Sequence, residues 1–310
     1  MIVDFHTHIL PEQITSDPAS FALRDDYFGF LSTSTPANHT KQFFATYKQA
    51  IKQMDKDGVD KIVIQGWPFL SHEYCVMQND YIMEAMKAYP DRIIGFCVVN
   101  PNDGLNAQRE VKRCLQAGMA GVGELDPYGQ RFSLKDENFL IISDLCIDAD
   151  IPLSIHISEP VGDFYFGKSD VSLNDYVYLI MAKPLLKVIL PHWGGGLPFY
   201  ELMPEISKAF TNVYYDTAAS PLICSPAVYM STINLVGHRR ILFGTDYPLH
   251  LYPQKEKQPN FLSMVNEVKD EIKDKEALDN VLGKNALRLL GLAGEGSENT
   301  CIYPSMFQRE

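Results

Sequence analysis

The sequence has no apolar run long enough to cross a membrane, no Cys-x-x-Cys spacing, no low-complexity tract and little positive charge. Each absence closes off a class. A transmembrane helix needs about 20 consecutive apolar residues, and the longest runs here are strand-sized, so no membrane partner is expected. The six cysteines, Cys75, Cys97, Cys114, Cys146, Cys224 and Cys301, lack the spacing of a zinc knuckle or a dithiol motif. Several sit inside apolar runs, and they are expected to be reduced core residues. Lys plus Arg number 27 against 39 Asp plus Glu, a net charge of -12, and such a surface repels nucleic acid. The N-terminus has neither the basic start nor the apolar core of a signal peptide, so a cytoplasmic location is expected.

What is present is a chain of 310 residues, 46% hydrophobic and 21% charged, which is ordinary globular composition. Eight short, largely apolar runs read as strands: 2–8, 60–65, 92–99, 120–125, 152–158, 187–192, 213–218 and 240–246. Near-continuous apolar character suits parallel strands covered on both faces. Helical periodicity occupies 41–54, 74–89, 105–117, 136–149, 173–181, 200–210 and 226–236, and two further segments, 261–272 and 276–290, follow the last strand. This alternation predicts an α/β fold of the (β/α)8 TIM-barrel kind, with an open doubly wound sheet as the structural alternative. Residues 1–291 are expected to form one barrel domain and 292–310 a tail that is poorly ordered or used in subunit contacts, so a homo-oligomer is left open. Residues 11–38, rich in Ser, Thr, Asp and Pro, read as an irregular loop inserted after the first strand. A loop of that length is uncommon unless functional, and over the C-terminal face of a barrel it reads as a lid or substrate loop, with a merely structural insertion as the alternative.

Side chains two apart on a strand share a face, so His6 and His8 point the same way. His156 and His192 end the fifth and sixth runs, Asp246 the eighth and Glu124 the fourth. In a barrel all six converge on one mouth. Burying that many titratable groups without partners costs several kcal/mol for each unpaired charge, and a divalent metal resolves the problem. Imidazole with carboxylate suits Zn²⁺, and also Mn²⁺ or Fe²⁺, with a position left for water. Bound water becomes hydroxide near neutral pH, and a carboxylate beside it, here Asp246, can carry the proton.

The stretches Asp4-Phe5-His6-Thr7-His8, Ile155-His156, Leu190-Pro191-His192-Trp193-Gly194-Gly195 and Leu242-Phe243-Gly244-Thr245-Asp246-Tyr247-Pro248 resemble the signature strands of the amidohydrolase superfamily. They are most similar to its amidohydrolase-2 branch, of the aminocarboxymuconate-semialdehyde decarboxylase type, and Asn285-Ala286-Leu287-Arg288-Leu289-Leu290 resembles its closing helix. The resemblance implies that His6, His8, His156 and Asp246 bind the metal and that His192 is a catalytic acid/base or a ligand to a second metal. Gly123-Glu124-Leu125 resembles instead the bridging-glutamate strand of TatD-type hydrolases. Glu124 is therefore either a bridging ligand or a residue that orients a histidine from behind, and the metal count is one or two.

Aromatic residues after the strands, Trp67, Tyr128, Tyr165 and Tyr247, are candidates to bind a small-molecule substrate, and Lys168 to meet its carboxylate. Asp216, at the end of the seventh run, reads either as a residue that supports the site from behind or as a helix N-cap, and the structural reading is preferred. The resulting expectation is a metal-dependent hydrolase of a small carbonyl compound, working through metal-bound water, with a metal-dependent decarboxylase as the alternative. A TatD-like deoxyribonuclease is opposed by the net charge, and a non-catalytic binding barrel by the complete ligand set.

Overall fold

A computed structural model describes residues 1–32 and 42–293. Eight strands, β1 (Val3–Thr7), β2 (Lys61–Ile64), β3 (Ile93–Cys97), β4 (Gly121–Leu125), β5 (Pro152–Ile155), β6 (Lys187–Leu190), β7 (Val213–Asp216) and β8 (Ile241–Leu242), follow one another in a parallel sheet. The last is joined to the first: Phe5 N–H donates to Phe243 O at 2.7 Å, Asp246 N–H to His6 O at 2.8 Å and His8 N–H to Tyr247 O at 2.7 Å. The sheet is therefore a barrel, and the open doubly wound alternative is set aside. Val3, Phe5, Val63, Phe96, Ile189 and Leu242, from strands around the whole circumference, meet in one buried cluster. The interior is a packed core that supports the mouth from below.

On the fifth, sixth and eighth runs the strand stops earlier than the apolar run that announces it. His156, His192 and Asp246 lie one, two and four residues past their strands. There the chain turns: His192 has φ 53° and Asp246 φ 68°. Helices start and stop where local chemistry dictates. In α4 (Tyr47–Asp57) the Thr46 and Gln49 side chains form a reciprocal capping box, and Gly58 at φ 73° ends it in the left-handed region. The expected helix 200–210 is broken by Pro204 into a 3₁₀ stretch, Leu197–Leu202, and a short helix, Pro204–Ala209. The segment expected as one helix over 276–290 carries a π-helical turn at Asn280–Lys284.

The expected irregular loop is largely helical where it is described. It holds α1 (Glu12–Thr15), α2 (Pro18–Ala22) and α3 (Asp26–Ser32), while residues 33–38 lie outside the described residues. Asp17 caps the Ser20 N–H at 3.1 Å with Pro18 at the first helical position, a start signal that the Ser/Thr-rich composition masks. Phe21 packs edge-on against Phe28 and Phe69, Phe28 stacks on Phe69, and the Asp25 carboxylate takes the N–H groups of Phe28 and Leu70, both at 2.8 Å. Cys75, Cys97, Cys114 and Cys146 are buried free thiols as expected, but Cys224 is exposed. Cys301 and residues 294–310 of the expected tail lie outside the described residues.

The wall between β6, β7 and β8 is tied by one ion pair. Arg240 donates to both Glu201 oxygens, at 3.1 and 2.5 Å, and Glu201 also accepts the Tyr215 hydroxyl at 2.7 Å with 2% of its side chain exposed. Arg240→Ala leaves that carboxylate buried and unpaired, which costs about 3–5 kcal/mol. Urea unfolding should show the midpoint falling at an unchanged slope; a loss below about 1 kcal/mol would mean that the pair is not structural.

Candidate functional site

The mouth of the barrel gathers four histidines around Glu124. Each ring is held from behind by a group that can only accept, which assigns its tautomer. His6 Nδ1–H donates to Asp216 Oδ2 at 2.8 Å, His8 Nδ1–H to Gln65 O at 3.1 Å and His192 Nδ1–H to Ala218 O at 3.1 Å. His156 is turned the other way and donates from Nε2 to Gly167 O at 2.9 Å. The remaining nitrogens face inward. His6 Nε2 and His8 Nε2 stand 3.1 Å apart, and His6 Nε2 is 3.4 Å from Glu124 Oε2. His156 Nδ1 lies 2.9 Å and His192 Nε2 3.7 Å from Glu124 Oε1, while His8 Nε2 is 3.3 Å from Asp246 Oδ1.

Nitrogens and carboxylates aimed at one another at these distances repel unless protons or a metal cation lie among them. The donors fall into two groups whose atoms lie within 4.8 Å of one another, His6 with His8 and Glu124, and Glu124 with His156 and His192. This nitrogen and oxygen set, with rings fixed by outer hydrogen bonds, fits a divalent transition metal. The titration behaviour reflects the same field. Burial pushes the Glu124 carboxyl up, but His156 and His6 outweigh it and hold it well below the usual range. Burial works against charge on His156, and Glu124 overcomes it, pushing the ring up to about 10. His6 is likewise held well above its usual value, against burial, by Asp216 and Glu124. Asp246 is lowered despite burial by its hydrogen bond with His8 and by the His6 charge.

Local chain geometry explains how these groups reach the centre. The β1–β2 register slips between Asp4 and Thr7, at His6, a bulge of the kind that re-aims a side chain. Gly123 has φ 138°, and a Cβ there would stand 2.6 Å from the Ser154 Cβ, so a side chain at 123 would push Glu124 out of place. His192, Trp193, Ala219 and Asp246 all adopt positive φ, a conformation that costs a non-glycine residue about 1–3 kcal/mol and clusters at working sites. Asp216 braces the turn: besides His6 it accepts the N–H groups of His192 at 3.0 Å and Ala218 at 2.9 Å.

Above this floor is a cavity of about 290 Å³. His8, Glu124, His156, His192 and Asp246 form its polar side; Trp67, Tyr165, Phe166, Leu222, Ile223 and Leu249 form apolar walls, and Tyr27 and Leu31 reach in from the insertion. The structure thus brings all six expected mouth residues together, with Trp67 and Tyr165 beside them. It does not bring the other three substrate candidates. Tyr128 is 43% exposed, and Tyr247 is buried with its ring stacked on Phe261 at 4.4 Å. Lys168 is drawn away by Glu159 at 3.2 Å and by the carbonyls of Val161, Gly162 and Asp163. Asp216, read from sequence as structural, proves to hold two of the site histidines. Tyr27 and Asp126 carry no sequence signal of their own; the length of the insertion after the first strand is the signal that it serves the mouth.

Comparison with known proteins gives three consistent findings. The family model described as amidohydrolase matches residues 3–292. Among curated relatives, the 2-amino-3-carboxymuconate-6-semialdehyde decarboxylase of Dictyostelium discoideum is 23% identical over 94% of this chain and 91% of its own. The 2-keto-4-carboxy-3-hexenedioate hydratase of a Sphingobium strain is 22% identical over 54% and 56%. Among solved structures, the 5-carboxyvanillate decarboxylase of Novosphingobium aromaticivorans, complexed with manganese and 4-hydroxy-3-methoxy-5-nitrobenzoic acid, superposes with a TM-score of 0.72 at 18% identity, covering 94% of this chain and 96% of that one.

If Asp216 fixes the His6 ring, Asp216→Ala should weaken divalent-metal binding by about 10–100-fold. Competition against a chromogenic chelator measures this, and an unchanged affinity would remove Asp216 from the site.

Proposed function

The chain belongs to the amidohydrolase family, and from that premise we propose that it is a metal-dependent decarboxylase of a small, planar carboxylic acid. The observation that carries the reading is the pairing of a cation-seeking floor with apolar walls in one cavity. A substrate carboxylate drawn to that floor leaves its carbon skeleton against Trp67, Leu222 and Ile223, where water is excluded. Such surroundings favour release of neutral CO2, which moves the negative charge from the carboxylate onto the carbon skeleton. The expectation of a hydrolase finds no support among the relatives compared, which are named decarboxylases and a hydratase, and it gives way to the alternative.

His6, His8 and Asp246, with Glu124 at their centre, would hold the metal, and His156 completes the ring of donors. A divalent metal there would orient the substrate carboxylate and stabilise negative charge developing on the substrate. The relative with manganese favours Mn²⁺ as the first ion to try, ahead of Zn²⁺. When the carbon–carbon bond breaks, its electron pair stays on the substrate carbon and must be quenched by a proton. Asp246, held ionised by His8 and His6, is a poor acid. That leaves His192, which lines the cavity and is fixed through Nδ1–H by Ala218 O; with a second proton taken up from solvent on its inward Nε2, it would be the proton donor. Using His192 this way removes it from metal binding, so the reading calls for one metal rather than two.

Incubation with a panel of aromatic and unsaturated acids, reading CO2 release and pH together, should find turnover that chelation abolishes and Mn²⁺ restores. Release of an acid from an ester, lactone or amide without CO2 would overturn the reading. His192→Asn should lower kcat by about 10²–10⁴-fold while metal analysis still finds about one ion per chain. Loss of metal in that variant would instead make His192 a ligand.

A further inference from the structure

One polar pair in the cavity wall has no part in that chemistry. Tyr27, on α3 of the insertion, and Asp126, just past β4, both line the cavity. The Tyr27 hydroxyl donates to Asp126 Oδ2. The other carboxylate oxygen is already held by the N–H groups of Tyr128 at 2.9 Å and Gly129 at 3.1 Å. The seat is shaped for the ring, since a Cβ at Gly129 would stand 2.0 Å from a Tyr27 ring carbon. Burial and the Asp126 charge hold the phenol well above its usual pKa, so it keeps its proton. That proton is committed to Asp126. The phenolic oxygen retains lone pairs and has no second hydrogen to give.

We propose that Tyr27 is a specificity-determining residue that accepts a hydrogen bond from an amino or hydroxyl group on the substrate, through the oxygen whose own hydrogen is held by Asp126. The proposal rests on the decarboxylase reading only for the position of the carboxylate on the histidine floor. Asp126 acts behind Tyr27 as a positioning residue, because it decides which way the phenolic hydrogen points. The insertion therefore contributes a polarity to the pocket as well as a wall.

The test is calorimetric titration of metal-loaded protein with the ortho, meta and para aminobenzoates, each against the fluorobenzoate of the same position, which is similar in shape and lacks the donor. At one position at least, the wild type should bind the amino acid about 10-fold more tightly than its fluoro counterpart, the scale of one hydrogen bond. In Tyr27→Phe that ratio should fall to about 2-fold or less. Asp126→Asn should lose the preference as well, because the new amide donates to the phenolic oxygen and occupies its acceptor site. A wild type without preference at any position, or a preference that survives either substitution, would overturn the proposal. A purely structural role for Tyr27 weakens both acids equally and leaves the ratio standing, which is one of those overturning results. CO2 release from the same acids is read separately. Preference without release removes the decarboxylase reading and leaves the Tyr27 assignment; release without preference does the reverse.

Discussion

The Glu124 carboxylate, buried at the barrel mouth with four imidazoles around it, is the constraint on which the rest of the site depends. A buried charge must be paired, and its surroundings must be rigid enough to keep it paired. The outer hydrogen bonds supply that rigidity. Asp216, Gln65 O, Gly167 O and Ala218 O each take one ring N–H, so every imidazole presents its free nitrogen inward. Three of the four acceptors are backbone carbonyls, fixed by the strands and loops that carry them.

The barrel makes this arrangement affordable in conformational terms. His192 and Asp246 stand in left-handed backbone conformations that neither would adopt alone. They are kept there by contacts that belong to the closed sheet: Asp246 N–H is bonded to His6 O, and His192 N–H to Asp216. The packed interior beneath, from Phe5 to Leu242, anchors the strands from which these turns depart. Stability at the base and strain at the mouth are two ends of one structure.

The insertion links the scaffold to the cavity wall. Its aromatic residues Phe21 and Phe28 bury against Phe69, and Asp25 ties α3 to Leu70. That docking sets Tyr27 over Gly129 and against Asp126. The insertion in this way builds one wall of the cavity, while the strand ends of the barrel build its polar floor.

Much of this was legible in the residues themselves. The eight apolar runs and the helices between them narrow the fold to a barrel or an open doubly wound sheet, because parallel strands need crossovers and both faces covered, and the bonds that join the last strand to the first decide for the barrel. His6, His8, Glu124, His156, His192 and Asp246 were identifiable because chemistry-bearing side chains at the ends of successive runs have one place to converge. Tertiary structure alone decided the rest. Whether Lys168 reaches the pocket depends on Glu159 and three carbonyls of its own loop, and whether Tyr247 does depends on Phe261. That Asp216 holds His6 and His192, and that Tyr27 meets Asp126, follows from contacts across 210, 24 and 99 residues of chain. Local sequence encodes periodicity and turn chemistry; it carries no direct record of which distant groups will share a hydrogen bond once the sheet has closed.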